Sequence, residues 1–285
     1  STQSNTSPVM AGHKSWLPRY WYAHLILWLA IIVIGFPLIY AIIVSTQNNA
    51  DVFAYSFMPG DDFLRNWRVV MEVRGLGQFM LNTVFVAVIM TTAKVIFSLL
   101  AGMAFVYFRF PFKWFIFGFV LLTLMMPTEV MVIALFRLVS NIGWSNSYSA
   151  LIIPFMASAT GTFLFRQHFA TLPAELSEAA QLDGASPLQF LFRILIPMSW
   201  NTIAALFVIQ FLYAWNQYIW PLIIIQDRSY QQVQVGLRSL ISGIETGDSF
   251  GPLMLGAVIA SLPPVLIFIL LQKQFMSGFQ LTRDK

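Results

Sequence analysis

Few residues of this 285-residue chain could do chemistry. Cysteine is absent, which excludes a thiol nucleophile, a thiolate metal site and a disulfide. His13, His24 and His168 lie far apart with no partner at ligand spacing, so no metal site is expected. The phosphate-loop pattern G-x-x-x-x-G-K-[ST] is also missing. What remains is polar residues inside apolar runs: Lys94, Glu129, and the pair Asn216 and Gln217 set among Trp215, Tyr218 and Trp220. Ionisable groups in hydrocarbon are costly, so they face a bundle interior, pair, or line a path. The aromatic and amide cluster could stack on and hydrogen-bond a polyol. Mutual neutralisation of Lys94 and Glu129, and plain interhelical hydrogen bonds from Asn216 and Gln217, are the structural alternatives. These groups do not amount to an acid, base and nucleophile set at one depth, so an enzyme is not expected.

The elements that position them follow from composition. The chain is 58% hydrophobic and 10% charged, with a mean hydropathy of +0.72. Soluble domains carry about a quarter charged residues, so this chain could not cover itself in water. Apolar stretches fall at residues 23–44, 79–108, 114–136, 148–169, 202–225 and 252–271. Each could cross a hydrocarbon core of about 30 Å as a helix that satisfies its own backbone. The expectation is an all-α, polytopic membrane protein with six transmembrane helices.

With both termini inside, nine Lys and Arg lie on the cytoplasmic side (Lys14, Arg19, Arg109, Lys113, Arg166, Arg193, Lys273, Arg283, Lys285). Six, Arg65, Arg68, Arg74, Arg137, Arg228 and Arg238, lie outside, a bias that favours cytoplasmic N- and C-termini. Residues 1–22 then form a polar N-terminal tail, 23–271 a single membrane domain and 272–285 a C-terminal tail. The first apolar run is too long for a signal-peptide core and no A-x-A-like site follows it, so a retained helix is expected. External loops are expected at 45–78, with short interfacial helices, and at 226–251. Counted from the cytoplasmic ends, Lys94, Glu129 and Asn216 each fall about 14 or 15 residues deep, which suggests a shared lumen. Nucleic-acid binding has no support.

The cytoplasmic connection over 170–200 is far longer than neighbouring helices need. Pro173 suits a helix start, with Glu175 and Glu178 near the positive end of its dipole. Gly184 can close that helix in a left-handed conformation. Ser186, Pro187 and Gln189 then read as N-cap, N1 and N3 of a second helix that Pro197 stops or kinks. A hairpin with small residues Ala179, Ala180 and Ala185 at its turn could dock in a partner's groove or lie on lipid headgroups.

The run Glu178-Ala179-Ala180, then Asp183-Gly184-Ala185, Ile194 and Pro197, resembles the EAA loop of bacterial ABC importer permeases, spaced EAA, three residues, G, nine residues, I, two residues, P. The likeness extends from about Phe105 to the C-terminus. The stretches 108–111 (FRFP), LTLMMPTEV ending at Val130, 156–169, 178–187 and 213–222 are similar to the second permease subunit of carbohydrate-type importers of the maltose and glycerol-3-phosphate group. Among these they look most like that of the sn-glycerol-3-phosphate importer, and the tail from Gln272 lacks the G-A-V-K-G ending of the maltose type.

The resemblance implies a type I ABC importer permease fold with a cytoplasmic coupling helix, in the bacterial inner membrane. The implied partners are a second permease subunit in a heterodimer, a dimer of ATPase subunits that holds ATP and Mg, and an extracytoplasmic solute-binding protein. This chain would bind no cofactor itself. Glu178 would pair with a basic residue of the ATPase, Gly184 would make the turn, and Ala179, Ala180 and Ala185 would pack. The cargo is expected to be sn-glycerol-3-phosphate or a related diester, with a neutral sugar as alternative. A secondary transporter or channel would show inverted repeats or rings of charge and would need no docking hairpin.

Overall fold

The computed structural model describes residues 21–245 and 250–280, without the side chains of 128, 129, 243–245 and 277–280. Most of the expected N-terminal tail, with Lys14 and Arg19, and the last five residues, with Arg283 and Lys285, lie outside the described residues. Among the described residues the chain is helical and has no strand.

The helices are α1 Trp21–Val44, α2 Asn49–Phe53, α3 Phe63–Arg68, α4 Leu76–Tyr107, α5 Lys113–Leu124, α6 Thr128–Asn141, α7 Tyr148–Ile152, α8 Ala159–Ala170, α9 Ala174–Leu182 and α10 Pro187–Phe190. They continue as α11 Ile196–Met198, α12 Trp200–Trp215, α13 Ile219–Ile224, α14 Val233–Glu245 and α15 Phe250–Gln280. Helices α1, α4 and α15 are long and apolar enough to cross a membrane, making three spans, or up to five if two bent pairs each count as one. Those pairs are 148–155 with α8, bent by 40°, and 187–198 with α12, bent by 82°.

Three of the six expected continuous spans are therefore interrupted. The run 114–136 breaks between α5 and α6 at residues 125–127, where Pro127 is extended with ψ 128°. The run 148–169 breaks before Ser158, whose hydroxyl caps α8 by accepting the Gly161 amide at 3.1 Å. The run 202–225 breaks at residues 216–218, between α12 and α13. Hydropathy integrates over such breaks, whereas extended proline and N-cap conformations end a helix locally. Non-helical backbone at membrane depth must be buried in protein or line a polar cavity.

The segment expected as an external loop at 226–251 is largely helical. Its helix α14 packs on α4 and α15, helped by Gly236 against Phe79 and Gly256 against Leu240, positions where a Cβ would come within 2.4 Å and 2.7 Å of those side chains. Asn82 on α4 holds the preceding turn: its Nδ2 donates to the Ser229 and Gln231 carbonyls at 2.8 and 3.0 Å, and its Oδ1 accepts from the Tyr148 hydroxyl at 2.9 Å. The 45–78 segment holds short helices, as expected. Buried Asn66 ties it to the end of α1 by donating to the Ser45 and Gln47 carbonyls at 2.9 and 3.1 Å.

Helix α4 is the spine, packed on α8, α12 and α14. Two apolar clusters divide its length. One gathers Met90, Phe211, Trp215 and Trp220 with Leu255 and Ile259 of α15; the other gathers Val95, Leu99, Met103, Phe165, Leu206 and Ala180 of α9. Between them lies a polar layer, where the buried Lys94 Nζ donates to Gln210 Oε1 at 3.0 Å and Gln210 Nε2 donates to Ser158 Oγ at 3.1 Å. On α4 and α8, Gly102 faces Phe165 and Gly161 faces Ser98, where a Cβ would approach to 2.7 and 2.2 Å. Close backbone approach through small residues substitutes for a hydrophobic driving force between membrane helices.

Candidate functional site

The first site is the hairpin of α9 and α10. Pro173 is the N-cap of α9, Glu175 lies in its first turn, and Gly184 sits at φ +70°, the left-handed geometry that ends the helix. Ser186 and Gln189 close a capping box: Ser186 Oγ accepts the Gln189 amide at 3.3 Å and Gln189 Oε1 accepts the Ser186 amide at 2.8 Å. The second arm does not end at Pro197. It widens into a π turn over Leu191–Leu195, in which the Ile196 amide bonds the Leu191 carbonyl, and the chain swings into α12 at Ser199. A π turn is one way to accommodate a proline that lacks its own donor.

The three small residues at the turn, Ala179, Ala180 and Ala185, do not share one exposed face. Ala180 is buried and Ala185 half-buried against the chain's own body, lining a cleft with Met103, Tyr107 and Phe190. Glu178, Ala179, Asp183 and Gly184 are exposed, as is Leu182, whose side chain is 90% exposed. Ile194 is half-buried and Pro197 exposed. The sequence reading does not single out Leu182, although its four-residue spacing from Glu178 places the two on one helix face.

The second site is a cavity of about 440 Å³ at the break between α12 and α13, lined by Val132, Phe155, Leu212, Tyr213, Asn216, Gln217, Tyr218, Ile219 and Trp220. Asn216 and Gln217 reach it. Trp215 does not: its ring is 1% exposed and stacked on Phe211, and its Nε1 donates to the Ala260 carbonyl at 3.1 Å. It ties α12 to α15. Trp220 borders the cavity, but its Nε1 is held by the Ala150 carbonyl at 3.0 Å, leaving only ring surface to offer.

Lys94 stands behind the wall, bonded to Gln210 with its ammonium 4.3 Å from the ring of Tyr213. Glu129 lies in the first turn of α6, one turn before the cavity-lining Val132; its side chain lies outside the described residues. The rim contains two further groups. On α14, Gln234 and Arg238 are four residues apart; Gln234 Nε2 donates to Asn216 Oδ1 at 3.5 Å, and Arg238 Nη1 donates to the Tyr218 hydroxyl at 2.7 Å. Their i, i+4 spacing was a readable signal. An expected loop left no reason to read it.

Residues 94–279 match the family described as the binding-protein-dependent transport system inner membrane component. The sn-glycerol-3-phosphate transport system permease protein UgpE of Brucella melitensis biotype 1 is 38% identical over 264 residues, covering 90% of this chain and 94% of that protein. The proteins of the same name from Agrobacterium fabrum and Salmonella typhi are 38% and 40% identical over the same shares of both chains. The crystal structure of a bacterial ABC transporter involved in import of the acidic polysaccharide alginate contains a similarly folded chain, with a TM-score of 0.76 at 22% identity, covering 89% of this chain and 95% of that one. The alginate transporter in complex with its pentasaccharide-bound periplasmic protein gives a TM-score of 0.60 at 15% identity, covering 88% and 91%. The chain belongs to this inner-membrane component family and is the permease subunit of an ABC importer, a transport component rather than an enzyme.

Proposed function

We propose that this chain forms half of the pathway of an importer for sn-glycerol-3-phosphate or a related glycerophosphodiester. The similarity of about nine-tenths of the chain to permeases named for that solute carries the reading. In this reading the subunit has six spans: α1, α4, the α5 and α6 pair, the α7 and α8 pair, α12 with α13, and α15. Both termini are cytoplasmic. It pairs with a different permease subunit, and a dimer of ATPase subunits binds ATP and Mg beneath them while a soluble binding protein delivers the solute outside.

The hairpin is the coupling element. Glu178 meets a basic residue of the ATPase, Leu182 and Ala179 fill its groove, Gly184 and Asp183 shape the turn, and Ala180 and Ala185 seat the hairpin on this subunit. Ile194 and Pro197 lie on the arm that leads into the bend at Ser199. The cavity wall suits a small anionic polyol: Asn216 and Gln217 supply amides and Arg238 a cation through Tyr218. Lys94 keeps a second positive charge behind Tyr213. A neutral sugar or oligosaccharide is the second reading, favoured by the aromatic share of the wall. Uptake by the reconstituted complex separates the two: transport of radiolabelled sn-glycerol-3-phosphate is expected, and transport of a neutral disaccharide without it would reject the first reading.

A further inference from the structure

At the end of the bundle that carries the hairpin, the turn from α4 to α5 gathers positive charge, and no ion pair to it is found among the described residues. Arg109 and Lys113 line an open cavity of about 410 Å³ together with Phe110, Phe112, Trp114 and Phe115. The guanidinium of Arg166, on α8, lies 5.3 Å from the Trp114 ring and 5.1 Å from that of Phe117. Arg109 and Arg166 both repel the Lys113 ammonium. Lys113 gives one hydrogen to the Phe108 carbonyl at 3.0 Å and keeps its others. The sequence holds no Asp or Glu between Glu72 and Glu129, or between Glu129 and Glu175. The ion pair found among the described residues, Arg68 with Glu72, is elsewhere.

Helix α5 begins beside these cations with no side-chain cap, so its first amides add partial positive charge to the same spot. Immediately beyond, the helix turns apolar side chains outward: Phe112 is 79% exposed, Trp114 66%, Phe115 75%, Phe119 62% and Leu122 62%. Cations meet a long exposed apolar face at one edge.

We infer that this edge binds an anionic phospholipid, its phosphodiester on Arg109, Lys113 and the start of α5 and its acyl chains along the aromatic face of α5. A soluble phosphate would use the cations and leave the apolar face uncovered; a lipid uses both. The site lies away from the cavity at the α12 and α13 break and stands independently of the transported solute.

Lipid retention by the purified full chain, measured by native mass spectrometry from detergent with equimolar phosphatidylglycerol and phosphatidylcholine, tests the site. Wild type should retain phosphatidylglycerol preferentially. The pair Arg109→Gln with Lys113→Gln should lower that retention about 25-fold, each cation near an anionic headgroup contributing about fivefold. The charge-conserving pair Arg109→Lys with Lys113→Arg should preserve it, as should Arg65→Gln at the opposite end of the molecule. Equal retention by the Gln pair and wild type would overturn the site. Loss in the charge-conserving pair would overturn the role of charge. Displacement by inorganic phosphate or free sn-glycerol-3-phosphate would reassign the site to a soluble anion. Absence of bound lipid once the partner subunits are assembled would show a protein surface in its place.

Discussion

The hairpin and the cavity are both made where helices stop, yet the stops are encoded differently. The hairpin's turn is written within a few consecutive residues, Gly184 at φ +70° followed by the Ser186 and Gln189 capping box. The cavity draws its wall from α6, the 3-10 turn 153–155, α12 and α13, with its rim on α14, and no neighbouring residues specify the enclosure. A short element with its own caps carries the signals for its shape in adjacent residues. A cavity assembled from distant elements exists only when those elements are packed.

Substitutions should divide along the same line. The largest effect is expected from Gly184→Val. No atom lies within 4 Å of where a Cβ would stand, so the cost is conformational, about 1–2 kcal/mol for an L-residue held left-handed and more for a β-branched one. Solute-stimulated ATP hydrolysis by the assembled complex should fall about tenfold or more, with Gly184→Asn much milder. Next comes Leu182→Asp, which should lower stimulated hydrolysis severalfold without changing the melting temperature of the subunit, since the side chain is 90% exposed. Ala180→Leu, two residues away but buried, should do the reverse by overpacking at a cost of about 1–3 kcal/mol, read as a lowered melting temperature.

Within the cavity, Gln217→Ala should raise the half-saturating solute concentration a few-fold. Trp215→Phe should leave it unchanged while removing the bond to Ala260, worth about 1 kcal/mol in thermal unfolding. Equal effects of the two on half-saturation would erase the distinction between wall and core. The smallest change is expected for Ser186→Ala, about 1 kcal/mol of local helix stability, measurable as faster amide exchange over 188–190.

Legibility in the sequence followed the same division. The helix over 174–182, its left-handed glycine and the capped second arm could all be read, because caps act over three or four residues. Which alanine faced inward could not, because Ala180 is buried by Met103 and Tyr107, more than 70 positions earlier. Trp215 was misplaced for a related reason: around Trp215 the last turns of α12 are apolar on nearly every side, so their composition does not distinguish a core face from a lumen face. Pro127 was visible as a breaker, but the apolar residues on both sides of it disguised two helices as one. The helical fold and the long spans could be read from composition and spacing, and the family from the resemblance of the 178–197 loop; the bends inside the spans could not.

The two glycine contacts between α4 and α8 have a mechanical consequence. With Gly102 against Phe165 and Gly161 against Ser98, the ridge of one helix is keyed into the other at two heights. A keyed pair resists sliding, since a shift along the axis drives backbone into side chain at both points. It therefore behaves as one beam, with Ala180 and Phe190 of the hairpin fastened near one end and Ser158 in the polar layer further along. The compliant joints of the molecule are then its interruptions, at 125–127, 156–158, Ser199 and 216–218. A displacement of the hairpin would then be expected to reach those joints, the last of which borders the cavity.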